Sequence, residues 1–292
     1  MGLPKYFFSD LDNDIKAILF AQIRNLWTHT STALEGNSLT LGETAFVLEE
    51  GLTVAGKPLR DHQEVYSHAQ AIDIVYGLIA TDRIQKADLF ALHRAVLTEV
   101  ILDIYKPVGD WKKEPNYTNY VGADGCQHLR EFPSPAHIPK LMSQWLDRLN
   151  KALSMTLPEA RCIQVYADLH LDFVTIHPFF DGNGRVARLI SNLPVLRAGY
   201  PPIVVPAEAR HEYKRAISDY QSTIPGLNGL RDLDTLPDNE ERRRFVGLCK
   251  GYLDPTLALV REAREMQQKR SLERSFEENP EADIDFDDDL GR

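Results

Sequence analysis

A short run in the second half of the sequence concentrates side chains that can do chemistry. Residues 177–188 read HPFFDGNGRVAR. An imidazole has an ordinary pKa near 6.5, so His177 should be largely neutral at neutral pH and able to accept a proton from an attacking hydroxyl. General-base assistance of this kind typically contributes about 10²- to 10⁴-fold in rate. We therefore predict that His177 is a catalytic base.

The glycines of this run predict an anion-binding loop. Gly182, Asn183 and Gly184 can adopt the positive φ angles that turn successive backbone N–H groups toward one point, and such a nest binds anions. The helix predicted to begin just after the loop adds unpaired N–H groups and the positive end of its dipole. Phosphate groups are the ligands that this arrangement favours.

Three charged side chains complete a predicted polyphosphate site. Arg185 and Arg188 project from one side of the first helical turns and can fork onto phosphate oxygens. Asp181 supplies the hard oxygen ligand that Mg²⁺ prefers beside a polyphosphate. Each feature alone has an ordinary structural explanation, and we interpret His170 as a core histidine and Phe179 as a buried anchor of the loop. The coincidence of base, metal ligand and nest favours the functional interpretation.

The elements on either side must hold this run rigidly. Apolar residues recur at helical spacing over 158–175, which predicts a buried helix that delivers His177 at its end. A second helix is predicted over 184–198, where Pro194 should remove one backbone hydrogen bond and kink it.

The rest of the chain predicts an all-α, mainly helical fold with one small β-hairpin. Thr40 and Glu43 match a capping box, Gly51 suits a helix end, and Asp88 is expected to cap a later helix. The hairpin is predicted within 109–139, with Asp-Gly at 124–125 in its turn. Further helices are predicted over 11–26, 31–34, 40–50, 65–79, 88–96, 138–153, 207–217 and 240–268.

Composition restricts the classes of partner. The formal net charge of -10 argues against nonspecific nucleic-acid binding, which needs clustered Lys and Arg. No apolar run approaches the roughly 20 residues that cross a bilayer, and the first residues lack a signal peptide's apolar segment. We therefore expect a cytoplasmic protein with neither nucleic acid nor membrane as partner. Residues 273–292 are rich in acidic side chains and are expected to be a disordered tail.

The run 177–188 resembles the signature of the Fic family, HPFx(D/E)GNGRxxR, at every specified position. The resemblance extends over roughly residues 31–220 and implies the mainly helical Fic fold, with the hairpin as its flap. It implies N-terminal helices over 1–60, including an inhibitory helix near 26–36, and a catalytic core over 61–220 with the flap near 112–133. A helical extension over 221–272 and the acidic tail would follow.

The resemblance implies an activity and a set of roles. Fic enzymes of this kind transfer AMP from ATP, with Mg²⁺, to a Ser, Thr or Tyr hydroxyl of a target protein, and pyrophosphate leaves. His177 would deprotonate the hydroxyl, Asp181 would hold Mg²⁺, and Arg188 would bind the γ-phosphate. Asn183 and the nest amides would grip the other phosphates. The flap would align an extended target segment by strand addition.

An upstream segment resembles the family's N-terminal inhibitory motif, (S/T)xxxE(G/N). It comprises Ser31, Glu35, Gly36 and Asn37. A carboxylate presented to Arg188 would occupy the guanidinium fork that the γ-phosphate needs, which implies autoinhibition.

Several alternatives stay open. The same fold could use another nucleotide or phosphorylated donor, or remove AMP with Glu35 positioning water. A non-catalytic ATP-sensing module is a further hypothesis, although sensing alone does not require His177 or Asp181. A homodimer is also compatible with the sequence. The segment before the flap departs from the family pattern, because Lys112 stands where the family often has Arg.

Overall fold

A computed structural model of the chain describes residues 6–97, 105–121 and 125–278. It confirms the mainly helical fold with one antiparallel hairpin. The strands are β1 (Tyr117–Val121) and β2 (Gln127–Glu131). The helices are α1 (Asn13–Ala33), α2 (Leu41–Glu50), α3 (Leu59–Leu78), α4 (Lys86–Val96), α5 (Ile138–Leu153), α6 (Glu159–Ile176), α7 (Asn183–Ile190), α8 (Leu193–Arg197), α9 (Arg210–Ser222), α10 (Glu240–Gly251) and α11 (Asp254–Glu278).

Helix α6 is the centre of the core. All but a few of its residues are buried, and it packs against α5, α7, α8 and α10. On the α5 side, the Trp145 indole is fully buried and donates to the carbonyl of Leu169 over 2.9 Å. A helix enclosed in this way has little freedom to move, so the residue at its C-terminus has a fixed position.

The capping signals of α2 are confirmed. The Thr40 hydroxyl accepts from the Glu43 N–H, and the Glu43 carboxylate accepts from the Thr40 N–H, which closes the capping box. Gly51 ends the helix in the left-handed conformation with φ 68°. The expected cap at Asp88 is wrong by one turn, because Gln85 is the N-cap of α4 and Asp88 closes the box from the third helical position.

Three predicted helix boundaries are wrong. Helix α1 runs without interruption to Ala33, so residues 31–33 do not begin a separate helix. The helix predicted over 184–198 is two helices, because the chain breaks at residues 191–192, just before Pro194. The helix predicted over 240–268 also divides, between α10 and α11, where Pro255 stands in the first turn of α11.

The C-terminal end differs from the expected division. Helix α11 continues to Glu278, so residues 273–278 are helical where a disordered tail was expected. Residues 279–292, like residue 124 of the predicted turn, lie outside the described residues. Helix α11 packs on α1, and Arg270 pairs there with Asp14 at 2.7 Å and Asp12 at 3.1 Å. Within the described ranges, no helix is long and apolar enough to cross a membrane.

Candidate active site

His177 is placed by the end of α6. Its N–H still donates to the carbonyl of Phe173 over 2.9 Å, but its backbone is left-handed, with φ 51° and ψ 60°. Pro178 disfavours the right-handed helical conformation at His177, so α6 cannot continue through this residue. The imidazole Nδ1 lies 3.2 Å from the carbonyl of Val174, which can only accept, so Nδ1 carries the proton. The other nitrogen, Nε2, is therefore the basic one.

The surroundings of His177 favour the neutral ring. Its imidazole is half-buried and stacks on Phe132, with centroids 3.8 Å apart and planes 8° from parallel. The pKa of His177 is lowered to about 3, chiefly by burial and next by the charge of Lys112, while the hydrogen bond to Val174 and the charge of Glu35 only partly oppose the shift. The ring is thus neutral at neutral pH, as predicted, and its lowered pKa makes the neutral form more dominant than an ordinary imidazole pKa would.

The loop after His177 is closed by Asn183. Its carboxamide Oδ1 accepts from the N–H of Phe179, and its Nδ2 donates to the carbonyl of Phe179, both over 2.9 Å. Asn183 is only 2% exposed and its amide is committed to these bonds. The resemblance implied that Asn183 grips phosphate, whereas here only its backbone N–H is available for that. Phe179 is fully buried, which agrees with its interpretation as an anchor.

His93, which no sequence motif indicates, supports the same loop from α4. Its ring stacks on Phe179, with centroids 3.8 Å apart and planes 7° from parallel. The Gly109 N–H donates to Nδ1 over 2.9 Å, so Nε2 carries the proton that reaches the carbonyl of Asp181 at 3.1 Å. Burial lowers the pKa of His93 to about 4, which keeps this bridging ring neutral.

The predicted nest is a helix N-terminus with one left-handed residue. Gly182 has φ 74° and caps α7, while Asn183 and Gly184 already belong to the first turn. The expectation of positive φ angles at all three positions is therefore wrong. The first N–H groups of a helix have no intrahelical acceptor and carry the positive end of the dipole, so the anion-binding character is preserved. These three residues line a cavity of about 370 Å³ together with His177.

Asp181 and Arg185 also line this cavity. The Asp181 side chain is 75% exposed, and its Oδ2 lies 3.8 Å from Arg185 Nη2. Arg185 also donates to the carbonyl of Val96 over 3.1 Å, which fixes its guanidinium. Among the described residues, no group of three or more His, Cys, Asp or Glu side chains forms a metal site. Asp181 could therefore ligate a cation only together with water and a substrate oxygen.

Arg188 lies at the back of the cavity and is 2% exposed. Its Nη2 donates to Glu35 Oε1 over 2.7 Å and to the carbonyl of Ser31 over 3.0 Å, and its Nε donates to the Ser31 hydroxyl over 3.0 Å. Burial is the largest single effect and would raise the pKa of Glu35, but Arg188, together with Lys214 and Arg185, holds this pKa below its ordinary value. The structure thus places Ser31 and Glu35 against Arg188, from more than 150 residues away along the chain.

Gly36 and Asn37 hold the segment that presents Glu35. Gly36 has φ 105°, a conformation that other residues rarely adopt, and turns the chain away from α1. The Asn37 amide is buried and donates to the carbonyl of Asp61 over 2.9 Å and to Glu64 Oε2 over 3.1 Å. These residues do not enter the cavity. They attach the Glu35 segment to α3.

Helix α9 holds the same segment from the opposite side, which sequence analysis did not anticipate. Arg210 Nε donates to the carbonyl of Leu34 over 2.9 Å, and Lys214 Nζ lies 3.9 Å from Glu35 Oε2. The hydroxyl of Tyr213 lies 3.4 Å from Arg188 Nη1 and 2.9 Å from the Nε2 of His170. His170 is fully buried, in agreement with its interpretation as a core histidine.

The hairpin forms the remaining wall. Thr118 to Tyr120 and Arg130 line the cavity. The Arg130 guanidinium lies 4.0 Å above the ring of Tyr120 and donates to Gln221 Oε1 of α9 over 3.1 Å. The hairpin and α9 are therefore joined across the cavity.

Comparison with known proteins identifies this region. The model of the Fic/DOC family matches residues 83–194, which include His177 and the whole run through Arg188. The chain contains a Fic domain. Ser31, Glu35 and α9 lie outside the matched residues, so their contacts with Arg188 are made from the flanking helices.

Curated relatives of this Fic protein are named as enzymes. Protein adenylyltransferase fic-1 of Caenorhabditis elegans is 34% identical over 239 residues, which are 80% of this chain and 43% of the relative. Protein adenylyltransferase Fic of Drosophila melanogaster is 35% identical over 189 residues, which are 63% of this chain and 34% of the relative. The chain therefore spans less than half the length of these curated relatives.

Solved structures share the fold. A Fic domain containing signaling protein from Bacteroides thetaiotaomicron has a TM-score of 0.72 at 24% identity, over 88% of this chain and 93% of that one. A fragment of C. elegans Fic-1 has a TM-score of 0.65 at 25% identity, over 88% of this chain and 69% of that one. Helices beyond residues 83–194 are thus part of the shared architecture.

Proposed function

We propose that this Fic protein transfers AMP from ATP to a serine, threonine or tyrosine hydroxyl of a target protein, and that Glu35 inhibits the transfer by occupying Arg188. The observation that carries the proposal is the Arg188 guanidinium, which lines one cavity with His177 and donates to Glu35 over 2.7 Å. Relatives named protein adenylyltransferase support the type of reaction.

The residues of the cavity divide the reaction among them. The triphosphate binds at the N-terminus of α7, where unpaired N–H groups and the helix dipole stabilise negative charge. The target oxygen forms a bond to the α-phosphorus while its proton passes to Nε2 of His177. The bond from the α-phosphorus to the bridging oxygen breaks, and pyrophosphate leaves. Because Nδ1 donates to Val174, the ring presents its basic nitrogen without a change of tautomer.

Asp181 is the residue that would hold Mg²⁺. Its carboxylate is largely exposed, is weakly paired with Arg185, and has the hard oxygen donors that Mg²⁺ prefers. A bound Mg²⁺ would neutralise charge on the phosphate oxygens.

Inhibition follows from competition for one cation. The γ-phosphate and the Glu35 carboxylate both need the Arg188 fork, so ATP binds productively only when Glu35 has moved away. Gly184 permits the close approach, because a Cβ at this position would lie 3.0 Å from Arg188 Nη1 and 3.1 Å from Glu35 Oε1. Lys214 adds a second positive charge that holds Glu35 in place.

Intact-protein mass spectrometry after incubation with ATP and Mg²⁺ tests the proposal. We expect slow addition of AMP to the wild-type protein, faster addition in Glu35→Gly, and none in Glu35→Gly/His177→Ala. Glu50→Gly is the matched control, because Glu50 is an exposed glutamate at the end of α2, and it should behave as wild type. Modification that persists without His177 would refute the proposal.

Parallel arms separate the alternatives. Incubation with GTP, CTP or UTP in place of ATP shows which nucleotide is the donor. Incubation of AMP-modified protein without ATP shows whether the protein removes AMP. Removal is a specific second candidate because Glu35 is 32% exposed at its side chain and lines the same cavity as His177. ATP binding with no turnover in any variant would instead support a sensing module.

A further inference from the structure

Lys112 is a buried lysine that the proposed reaction does not use. It lies in the segment between α4 and β1, is 2% exposed, and donates from Nζ to Asn116 Oδ1 over 2.6 Å. In the described parts of the chain, no carboxylate lies within ion-pair distance of it. Burial lowers the pKa of Lys112 to about 7, and the more distant Glu131 only partly opposes the shift. Burying an ammonium without a countercharge is unfavourable, so a purely packing role would be filled better by methionine.

The charge of Lys112 lies near Phe132, whose ring stacks on the proposed base. Nζ is 5.8 Å from the centroid of Phe132, and the Phe132 ring stacks on His177 at 3.8 Å. The Phe132 N–H donates to the carbonyl of Asn116 over 3.1 Å, which ties this ring to the Lys112 segment. A positive charge in this position disfavours the imidazolium form of His177 without a direct contact.

The same segment fixes the loop after His177. The Lys112 N–H donates to the carbonyl of Pro178, and Asn116 Nδ2 donates to the carbonyl of Phe179, both over 2.9 Å. The Lys112 ammonium can only donate, so it turns the oxygen of Asn116 toward itself and the amide nitrogen toward Phe179. The side chain of Lys112 thereby determines the orientation of the amide that holds the loop.

We propose that Lys112 is a positioning residue for His177: Lys112 orients the loop through Asn116, and its charge near Phe132 keeps the imidazole unprotonated until substrate is bound. The inference rests on the proposed function, in which His177 is the base. Of the charged groups around His177, Lys112 lowers its pKa and Glu35 raises it. The cavity that His177 lines also holds Arg130, Asp181, Arg185, Arg188 and Lys214. The negative charge of a bound polyphosphate would then raise the proton affinity of His177 when a proton must be accepted.

The test uses Glu35→Gly as the parent, so that activity is measurable and Glu35 does not contribute. Lys112→Met removes the charge at similar volume, and Lys112→Arg preserves it. We expect the acid limb of the pH profile of kcat/KM, which reports the enzyme without substrate, to move upward by about one pH unit in Lys112→Met, the size expected for two nearby charges in a partly buried site. The limb should stay in place in Lys112→Arg. A residue with only a packing role would change the rate at all pH values and leave the limb where it is.

A second readout does not depend on activity. The pH titration of the His177 ring by NMR, assigned with His177→Ala, should show protonation at higher pH in Lys112→Met than in the parent. Coincident titrations in parent and Lys112→Met, with thermal melts showing both folded, would overturn the inference. If Lys112→Met does not fold, Lys112→Gln serves in the same comparison. A parent that fails to add AMP would count against the proposed function, whereas the titration would still decide the role of Lys112.

Discussion

Replacing Glu35 by glutamine measures how strongly this carboxylate competes for Arg188. Glutamine keeps the size of the side chain and one hydrogen-bond acceptor but removes the charge. The ion pair spans 2.7 Å between a guanidinium that is 3% exposed and a carboxylate that is 32% exposed, so it is neither fully buried nor fully screened. For charge centres about 4 Å apart, an effective dielectric between roughly 40 and 20 gives about 2 to 4 kcal/mol of attraction.

Half or more of that attraction is offset by hydration of the free carboxylate and by the hydrogen bond that the glutamine side chain can still make with Arg188. The net advantage of the carboxylate over the amide is therefore about 1 to 2 kcal/mol. The result corresponds to roughly a 5- to 30-fold change in a binding constant. We therefore expect Glu35→Gln to tighten ATP binding by about tenfold. Calorimetric titration with a non-hydrolysable ATP analogue in a His177→Ala background measures this without turnover.

The same titration with Glu50→Gln is the control and should match the parent, because Glu50 lies on the exposed end of α2. Unchanged affinity in Glu35→Gln would refute the argument that Glu35 and the γ-phosphate share one cation. Higher salt should reduce the difference between Glu35→Gln and the parent, since the competing charge is partly exposed.

Three further predictions follow from the site. Asn183→Ala removes two buried hydrogen bonds that close the loop and should lower the free energy of unfolding by about 1 to 3 kcal/mol in denaturant titrations. An unchanged free energy of unfolding would contradict the loop-closing role of this amide. Asp181→Asn should raise the Mg²⁺ concentration needed for half-maximal activity about tenfold or more, while leaving thermal stability unchanged because the carboxylate is exposed. The free energy of unfolding should fall on acidification from about pH 6.5 toward pH 4. The reason is that the pKa of His93 is lowered to about 4 in the folded protein, so the unfolded chain takes up the proton first. Thermal melts of His93→Gln should show a weaker dependence of the melting temperature on pH over that range.

The local structure of the run 177–188 could be predicted because its information is local. A proline after His177, a glycine before α7 and two arginines within its turns specify a helix end, a cap and a cationic face without reference to distant residues. The capping box of α2 and the bounds of α5 are equally local, and both were confirmed. The breaks before Pro194 and Pro255 show the limit, because a proline marks a disturbance but not whether a helix kinks or divides.

The supporting residues could not be predicted because their partners are distant in sequence. His93 reaches the carbonyl of Asp181 across 88 positions, and Arg210 reaches the carbonyl of Leu34 across 176. Helical periodicity shows which face of a helix is buried but not which helix it meets. The loop-closing bonds of the Asn183 amide could not be predicted for a related reason, since an amide can bind either a ligand or its own loop, and only packing decides between them.

The position of the transferred label is the most direct test of AMP transfer by His177. Glu35→Gly protein is incubated in parallel with ATP labelled at the α-phosphate and ATP labelled at the γ-phosphate, and protein-bound label is counted. We expect protein-bound label from the α-labelled ATP alone, and we expect this label to disappear when His177→Ala is added. Incorporation from the γ-phosphate, or α-label that survives the loss of His177, would contradict this expectation.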